Sequence, residues 1–297
     1  MADAAPEPFD VPVTGGVLRV HRWGRSGPRV LAAHGITASA MAFRALGERL
    51  AGDVTLLAPD LRGRGASGEL PGPFGLAAHA RDLVAVLDHV GAQRATALGH
   101  SMGAYVAVEL ALDFPERVER LVLADGGLPL PVPEDADVDE MVAATLGPAL
   151  QRLLRTFPSR EAYLDYWRDH PAFSQPGVWN AYVESYLHYD LTGQPGALRS
   201  RVSEEAVRTD GRDVFSNERL GRSLGRITCP VTLLRAARGL LDQPQPLLAD
   251  EVVERYQAVL PQLTDQVVAD TNHYTLTLGE RGAEALAAHV RRAVGVV

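Results

Sequence analysis

The amino-acid sequence predicts an α/β protein in which a mostly parallel sheet is flanked by helices. Short apolar runs alternate with helical patterns through the first 127 residues, and the alternation resumes near residue 231. Such alternation is typical of parallel strands whose connecting helices cover both faces of the sheet. With 297 residues, 46% of them hydrophobic, the chain can also bury a sizeable core, which excludes general disorder.

The individual elements follow in chain order. The predicted strands are short apolar runs at residues 17–23, 29–33, 54–58, 95–98, 121–124, 231–234 and 266–269. The predicted helices have apolar residues at three- and four-residue spacing, and they cover residues 41–50, 76–90, 104–114, 250–260 and 280–294. In the helix at 76–90, for example, Leu76, Ala80 and Leu83 would share one buried face.

The middle of the chain breaks this alternation. Between residues 128 and 215 there are helix-like stretches and prolines but no clear strand. Aromatic residues concentrate here: Tyr163, Tyr166, Trp167, Phe173, Trp179, Tyr182, Tyr186 and Tyr189. We therefore predict one α/β core, formed by residues 1–127 and 216–297, and a helical cap of residues 128–215 that is inserted into it.

Composition excludes several classes of function. The 29 basic and 37 acidic residues leave a formal charge of −8, and no basic stripe with interleaved aromatics is present, so we expect no nucleic-acid partner. All 29 basic residues are arginine. The absence of lysine excludes Schiff-base chemistry, lysine-anchored pyridoxal phosphate and a Walker-type phosphate loop, because each needs a lysine amine.

Cysteine content and hydropathy favour a soluble cytoplasmic protein. Cys229 is the only cysteine, so one chain can form neither an internal disulfide nor a cysteine-based metal cluster. Residues 1–8 are acidic and contain proline, unlike a signal peptide. No uncharged apolar run reaches the roughly 18 residues that span a membrane, and we expect no membrane partner.

The segment Gly99-His100-Ser101-Met102-Gly103 lies between a predicted strand and a predicted helix and carries the strongest functional signal. A serine hydroxyl becomes a useful nucleophile only when it is exposed at a rigid point beside a base. A tight strand-to-helix turn provides that point, and its flanking glycines let the strand and helix pass closely. The pattern therefore indicates that Ser101 is a catalytic nucleophile.

Three motifs together resemble the α/β-hydrolase superfamily, in its serine-nucleophile, lid-bearing branch. They are the turn at Ser101, the pair His34-Gly35 after an earlier strand, and the sequence DLRGRGAS at residues 60–67. The resemblance covers nearly the whole expected core. It implies the α/β-hydrolase fold, with the helical cap inserted after the sixth strand.

The resemblance also implies an oxyanion hole. In this superfamily the His-Gly turn supplies one backbone donor, and the residue after the nucleophile supplies the other. These donors map onto the amides of Ile36 and Met102. Such donors stabilise negative charge that develops in the transition state, and loss of one typically costs about 3 kcal/mol.

The general base is expected to follow the serine and the acid in chain order. His273 fits, because it comes after the last predicted strand and just before the closing helix. The other eight histidines lie in helical stretches, in an early strand, in the expected cap or in the turns beside Ser101. We therefore predict that His273 is the catalytic base.

Two aspartates are candidates for the triad acid, and here the sequence departs from the superfamily pattern. The usual place is a Gly-x-x-Asp turn just beyond the strand at 231–234, but Asp242 comes late in that segment. Asp125, at the end of the preceding strand, is the other candidate, since certain haloalkane dehalogenases take their acid from that strand. Either carboxylate could orient His273 and stabilise its imidazolium form.

These residues predict a serine hydrolase that cleaves a small-to-medium lipophilic carboxylic ester, lactone or thioester through an acyl-enzyme on Ser101. The expected cap would cover the site and exclude water. We expect a small acyl substrate as partner, and neither a metal nor an organic cofactor. The residues predicted to bind the substrate are His34, Gly35, Trp167, Tyr182 and Tyr186.

Other functions on the same scaffold stay open. A C–C bond hydrolase or a cofactor-free perhydrolase uses the same triad, and a ligand receptor would keep the triad with little turnover. A serine nucleophile disfavours dehalogenase and epoxide hydrolase chemistry, because those relatives use an aspartate at that position.

Overall fold

The structure, a computed structural model, describes residues 5–131 and 137–296. The strands are β1 (Glu7–Val13), β2 (Gly16–Trp23), β3 (Arg29–Ala33), β4 (Thr55–Pro59), β5 (Ala95–His100), β6 (Val118–Ala124), β7 (Leu191–Gln194), β8 (Ala197–Ser200), β9 (Val231–Arg238) and β10 (Leu263–Asn272). The helices are α1 (Arg44–Leu50), α2 (Leu76–His89), α3 (Met102–Asp113), α4 (Val138–Leu153), α5 (Arg160–Arg168), α6 (Ala181–Asp190), α7 (Glu204–Ser216), α8 (Glu218–Ser223), α9 (Asp250–Gln257), α10 (Thr275–Leu278) and α11 (Glu280–Val294).

A mostly parallel sheet forms the centre of the molecule, which confirms the predicted fold class. Its eight strands lie in the order β1-β2-β4-β3-β5-β6-β9-β10. The pairs β1-β2 and β2-β4 are antiparallel, and the other neighbouring pairs are parallel. The carboxyl ends of the parallel strands therefore meet at one edge of the sheet, where α/β proteins place their ligands.

Both faces of the central strands are buried, which explains their continuous apolar runs. In β5, Ala97 belongs to the buried cluster that contains Leu83 of α2. Its neighbour Leu98 belongs to the cluster on the opposite face, which contains Leu46 of α1. Because successive residues of a strand point to opposite faces, helices on both sides are needed to cover the sheet.

The first strand was not predicted from the sequence. Pro8 and Pro12 lie within β1, which pairs only with β2. An edge strand tolerates proline, because its outer side needs no backbone donor. Because proline has a low propensity for strands, a prediction based on strand propensity misses β1.

Residues 137–226 lie between β6 and β9 and include all the described helices and strands of that segment. We call them the insertion. In the described part of the chain it contains the helices α4 to α8 and the antiparallel hairpin β7-β8. The expectation that residues 128–215 contain no strand is therefore wrong. Gly196, in the hairpin turn, has a φ angle of 91°, a backbone conformation that favours glycine and permits the tight turn.

A buried ion pair connects the insertion to the core. Asp210 of α7 lies 2.5 Å from Arg64 and 2.9 Å from His79 Nε2, and all three side chains are fully buried.

The predicted limits of the cap, at residues 128 and 215, stay a prediction, and residues 132–136 lie outside the described part. Among the described residues, no helix has both the length and the apolar character that crossing a membrane requires.

Candidate active site

Ser101 lies at the turn between β5 and α3 and has a strained backbone. Its φ of 55° and ψ of −125° lie outside the regions that residues with a side chain ordinarily adopt. Glycine is required on both sides of it. A Cβ atom on Gly99 would lie 2.1 Å from the carbonyl oxygen of Gly103, and one on Gly103 would lie 1.9 Å from that of Ala33. The tight turn expected from the sequence is thus what the structure has.

His273 and Asp125 meet at the same edge of the sheet, because they follow β10 and β6. The Nδ1 atom of His273 lies 2.7 Å from Oδ2 of Asp125. Asp125 is fully buried, and its Oδ1 accepts a 3.2 Å hydrogen bond from the Ala236 amide. With Nδ1 held in this way, Nε2 is the ring nitrogen available for proton transfer.

Asp242, the other candidate for the triad acid, has different partners. Its Oδ1 accepts hydrogen bonds from Nε of Arg238, at 2.9 Å, and from Nδ2 of Asn272, at 3.1 Å. Its Oδ2 lies 3.4 Å from Nε2 of Gln175. The structure therefore brings Asp125 to His273 and places Asp242 on the neighbouring residue, Asn272.

Asn272 holds the turn that carries His273, a role that the sequence analysis did not identify. Its Oδ1 accepts hydrogen bonds of 3.0 Å from the amides of both Tyr274 and Thr275. Its Nδ2 donates to the Ala172 carbonyl oxygen of the insertion at 2.8 Å. An asparagine between a strand and a helix is a common N-terminal capping signal, and that signal could have pointed to it.

His100 packs against His273 without adding charge. Its Nε2 donates to the carbonyl oxygen of His273 at 2.9 Å, and the centroids of the two rings lie 4.7 Å apart. Burial lowers the pKa of His100 well below its usual value, so this ring stays neutral. His273 can therefore take up a proton without a second cation beside it.

His34 is not among the residues that line a cavity with Ser101, so the structure does not bring this predicted substrate-binding residue to the site. The ring is fully buried, and its two nitrogens contact the Gly35 carbonyl oxygen at 2.8 Å and the Leu61 amide at 3.0 Å. Because the Leu61 amide donates to Nε2, the hydrogen must lie on Nδ1. Burial lowers the pKa of His34 to about 4, so the neutral ring fixes the turn at Gly35.

The two residues predicted to form the oxyanion hole, Ile36 and Met102, line one cavity with Ser101. Met102 is the first residue of α3, where backbone amides lack partners within the helix and the helix dipole is positive. Arg64 supports the other turn, because its Nε donates to the Ile36 carbonyl oxygen at 2.9 Å. The ion pair of Arg64 with Asp210 therefore links the insertion to this turn.

A cavity of about 310 Å³ lies at the carboxyl edge of the sheet and is lined by both Ser101 and His273. Of the residues predicted to bind the substrate, Gly35, Trp167 and Tyr186 line it. Most of the wall is apolar or aromatic, and much of it comes from α4 to α7 of the insertion. Such a wall suits an apolar ligand with few polar groups.

Tyr182, also predicted to bind the substrate, is not among the residues that line the cavity. Its hydroxyl donates to Oε2 of Glu48 at 3.0 Å, and its ring lies against Arg49, so it contacts α1. Its position one turn before Tyr186 on α6 gave no indication of this orientation.

Within residues 5–131 and 137–296, no group of three His, Cys, Asp or Glu side chains is placed to hold a metal ion.

Comparisons with known proteins identify the family of this chain. The family described as alpha/beta hydrolase fold matches residues 28–279. An uncharacterized protein of Mycobacterium tuberculosis is 38% identical over 128 residues, which are 42% of this chain and 37% of the relative, so the match spans little more than a third of that protein. The 3-hydroxybutyrate-oligomer hydrolase of Cupriavidus necator is 28% identical over 273 residues, 86% of each chain.

A solved structure supports the fold over nearly the whole chain. E-2-(acetamidomethylene)succinate hydrolase superposes with a TM-score of 0.81 at 22% identity and covers 98% of this chain and 99% of its own. At that identity the likeness concerns the fold. Because the family match extends from residue 28 to residue 279, and the sheet and the Ser101 turn agree with it, this chain belongs to the α/β-hydrolase family.

Proposed function

We propose that the protein is a serine hydrolase that cleaves a small-to-medium lipophilic carboxylic ester, lactone or thioester through an acyl-enzyme on Ser101. One observation carries the proposal. His273, which lies 2.7 Å from Asp125, and the strained Ser101 line the same cavity. A nucleophile, a base and an orienting carboxylate are the groups that acyl transfer requires.

In the acylation step, Nε2 of His273 accepts the hydroxyl proton of Ser101 while Oγ attacks the carbonyl carbon of the substrate. Asp125 stabilises the imidazolium that forms. The amides of Ile36 and Met102 donate to the oxyanion of the tetrahedral intermediate. The bond to the leaving group then breaks, and His273 transfers its proton to the departing alcohol or thiol.

In the deacylation step, water attacks the carbonyl carbon of the acyl-enzyme and gives its proton to His273. The tetrahedral intermediate collapses, its bond to Oγ breaks, and the proton returns to Ser101 as the free acid leaves. The neutral ring of His100 beside His273 favours both steps, because it does not oppose the positive charge that His273 acquires twice in each cycle.

Hydrolysis of 4-nitrophenyl esters with two, four and eight acyl carbons tests the proposal. We expect a burst of 4-nitrophenol followed by steady turnover, with the four-carbon or eight-carbon ester preferred because the wall is mostly apolar. Ser101→Ala should abolish turnover. Ser26→Ala is the matched control, because Ser26 lies exposed in the loop before β3. Full turnover by Ser101→Ala, or none by the unmodified protein, would contradict the proposal.

A further inference from the structure

Arg152 is the one arginine on the cavity wall among the described residues that line it. It belongs to α4 and is only 3% exposed. Among the same described lining residues there is no aspartate and no glutamate. The cavity that contains Ser101 therefore has one permanent charge, and that charge is positive.

The hydrogen bonds of Arg152 within the described residues involve one nitrogen. Nη1 donates to the Tyr163 hydroxyl at 2.9 Å and to Oδ2 of Asp190 at 3.0 Å. The guanidinium also lies over the ring of Trp167, 5.1 Å from its centroid. Nε and Nη2 make no hydrogen bond within the described residues, and this edge of a guanidinium matches the two oxygens of a carboxylate.

Asp190 is the counter-ion of Arg152 and contacts it through Nη1. That carboxylate also accepts hydrogen bonds from the Tyr163 hydroxyl and, at 2.8 Å, from Ser200 Oγ, so three donors share its negative charge. Burying a guanidinium costs desolvation free energy, which a purely lipophilic ligand would not return. An anionic group bound at the free edge would accept two further charge-assisted hydrogen bonds, which a purely lipophilic ligand cannot do.

We propose that the acyl part of the substrate carries a carboxylate at the end away from the bond that is cleaved, and that Nε and Nη2 of Arg152 bind this carboxylate. The acyl part is favoured over the alcohol part because it stays attached to Ser101 while the alcohol leaves, and Arg152 is almost fully buried. This inference rests on the proposed acyl-enzyme on Ser101. The substrate class is then a half-ester of a dicarboxylic acid, in which one carboxyl group is esterified and the other is free.

The unmodified protein provides the first test. Mono-4-nitrophenyl esters of succinate, glutarate and adipate are compared with the same esters capped by a methyl group. We expect kcat/KM for the best free acid to exceed that of its capped counterpart by about tenfold or more, chiefly through a lower KM. Equal values, or preference for the capped esters at all three lengths, would overturn the inference.

Variants of Arg152 provide the second test. Arg152→Met should remove the preference for the free acid, and Arg152→Lys should keep part of it, because lysine retains the charge but not the planar pair of donors. Arg199→Met is the control for net charge, since Arg199 is exposed on β8 of the same insertion. Retention of the preference in Arg152→Met, or its loss in Arg199→Met, would contradict a direct contact.

Removal of Arg152 leaves Asp190 buried without its cation, so Arg152→Met is also made together with Asp190→Asn. The double variant should hydrolyse the capped ester and show no preference for the free acid. If Arg152→Met and the double variant both fail to hydrolyse the free acid and the capped ester, Arg152 serves the fold and the inference is wrong. The proposed function and this inference can fail separately. The proposed function fails if the unmodified protein hydrolyses neither ester. This inference alone fails if the unmodified protein hydrolyses the capped ester and shows no preference for the free acid.

Discussion

The carboxyl edge of the sheet and the insertion contribute to one cavity in different ways. At the edge, Ser101, Asp125 and His273 directly follow strands, and pairing of those strands fixes where each side chain lies. In the insertion, Trp167 and Tyr186 lie on helices whose orientation depends on packing against the core. The comparison teaches that strand order sets the catalytic geometry, whereas helix packing sets the shape and polarity of the pocket.

The largest effect is expected at the sheet edge, on removal of the base. His273→Gln keeps the size of the side chain but cannot take up a proton, so kcat should fall by about 10⁴-fold or more. Steady-state hydrolysis of a 4-nitrophenyl ester measures this change. Turnover within tenfold of that of the unmodified protein would show that His273 is not the base.

A pair of variants distinguishes the two aspartates. Asp125→Asn should lower kcat by about 10⁴-fold, because an amide neither stabilises the imidazolium nor holds the right tautomer of His273. Asp242→Asn should lower it by less than about tenfold, because its partners are Arg238 and Asn272. Circular dichroism controls for folding. The reverse order of effects would assign the acid to Asp242.

Most of the sheet edge could be predicted from the sequence, because its signals are local. The flanking glycines and the apolar strand before Ser101 specify the turn, and the position of His273 between a strand and a helix indicates it as the candidate base. The choice of acid could not be made in this way. It depends on the Asp125 turn, where φ is 49° and a Cβ on Gly126 would lie 2.4 Å from the Ser101 carbonyl oxygen.

The insertion was harder to predict, because its contacts connect residues that are distant in sequence. Tyr182 and Tyr186 lie on one helix, yet the first contacts Glu48 and only the second lines the cavity. Arg152 carries no local motif, and its place on the wall follows from its partners on α5 and α6. Helical periodicity identifies a buried face but does not identify what covers it.

A smaller effect, on stability, is expected where the two regions join. Burial opposes ionisation of Asp210, but the charge of Arg64, together with His79 and the hydrogen bond from the Gly75 amide, outweighs it and holds the pKa of that carboxyl well below its usual value. The ionised form therefore stabilises the fold above the unfolded pKa of about 4, and this contribution is lost as the pH falls through the lower, folded value.

Asp210→Asn leaves the Arg64 guanidinium buried without its counter-ion, so we expect the free energy of unfolding at pH 7 to fall by about 3–5 kcal/mol. The difference between the variant and the unmodified protein should shrink as the pH falls below about 4. Urea unfolding at several pH values measures both. A difference that does not depend on pH would mean that the charge of Asp210 contributes nothing.

The smallest effect is expected within the insertion and tests the wall of the pocket. Trp167→Phe should raise KM for a neutral ester by about three- to tenfold, because it removes apolar surface from the wall. Tyr182→Phe should change KM by less than about twofold, because its hydroxyl contacts Glu48. Similar changes in both variants would place Tyr182 at the substrate.

The central claim is that the hydroxyl at position 101 is the nucleophile. Reaction with a fluorophosphonate, followed by mass spectrometry of the intact chain and of its peptides, tests it most directly. The account predicts one added phosphonyl group per chain, located on Ser101 and reduced in amount by His273→Gln. A chain that stays unlabelled at Ser101, or that is labelled at another residue, would contradict the account.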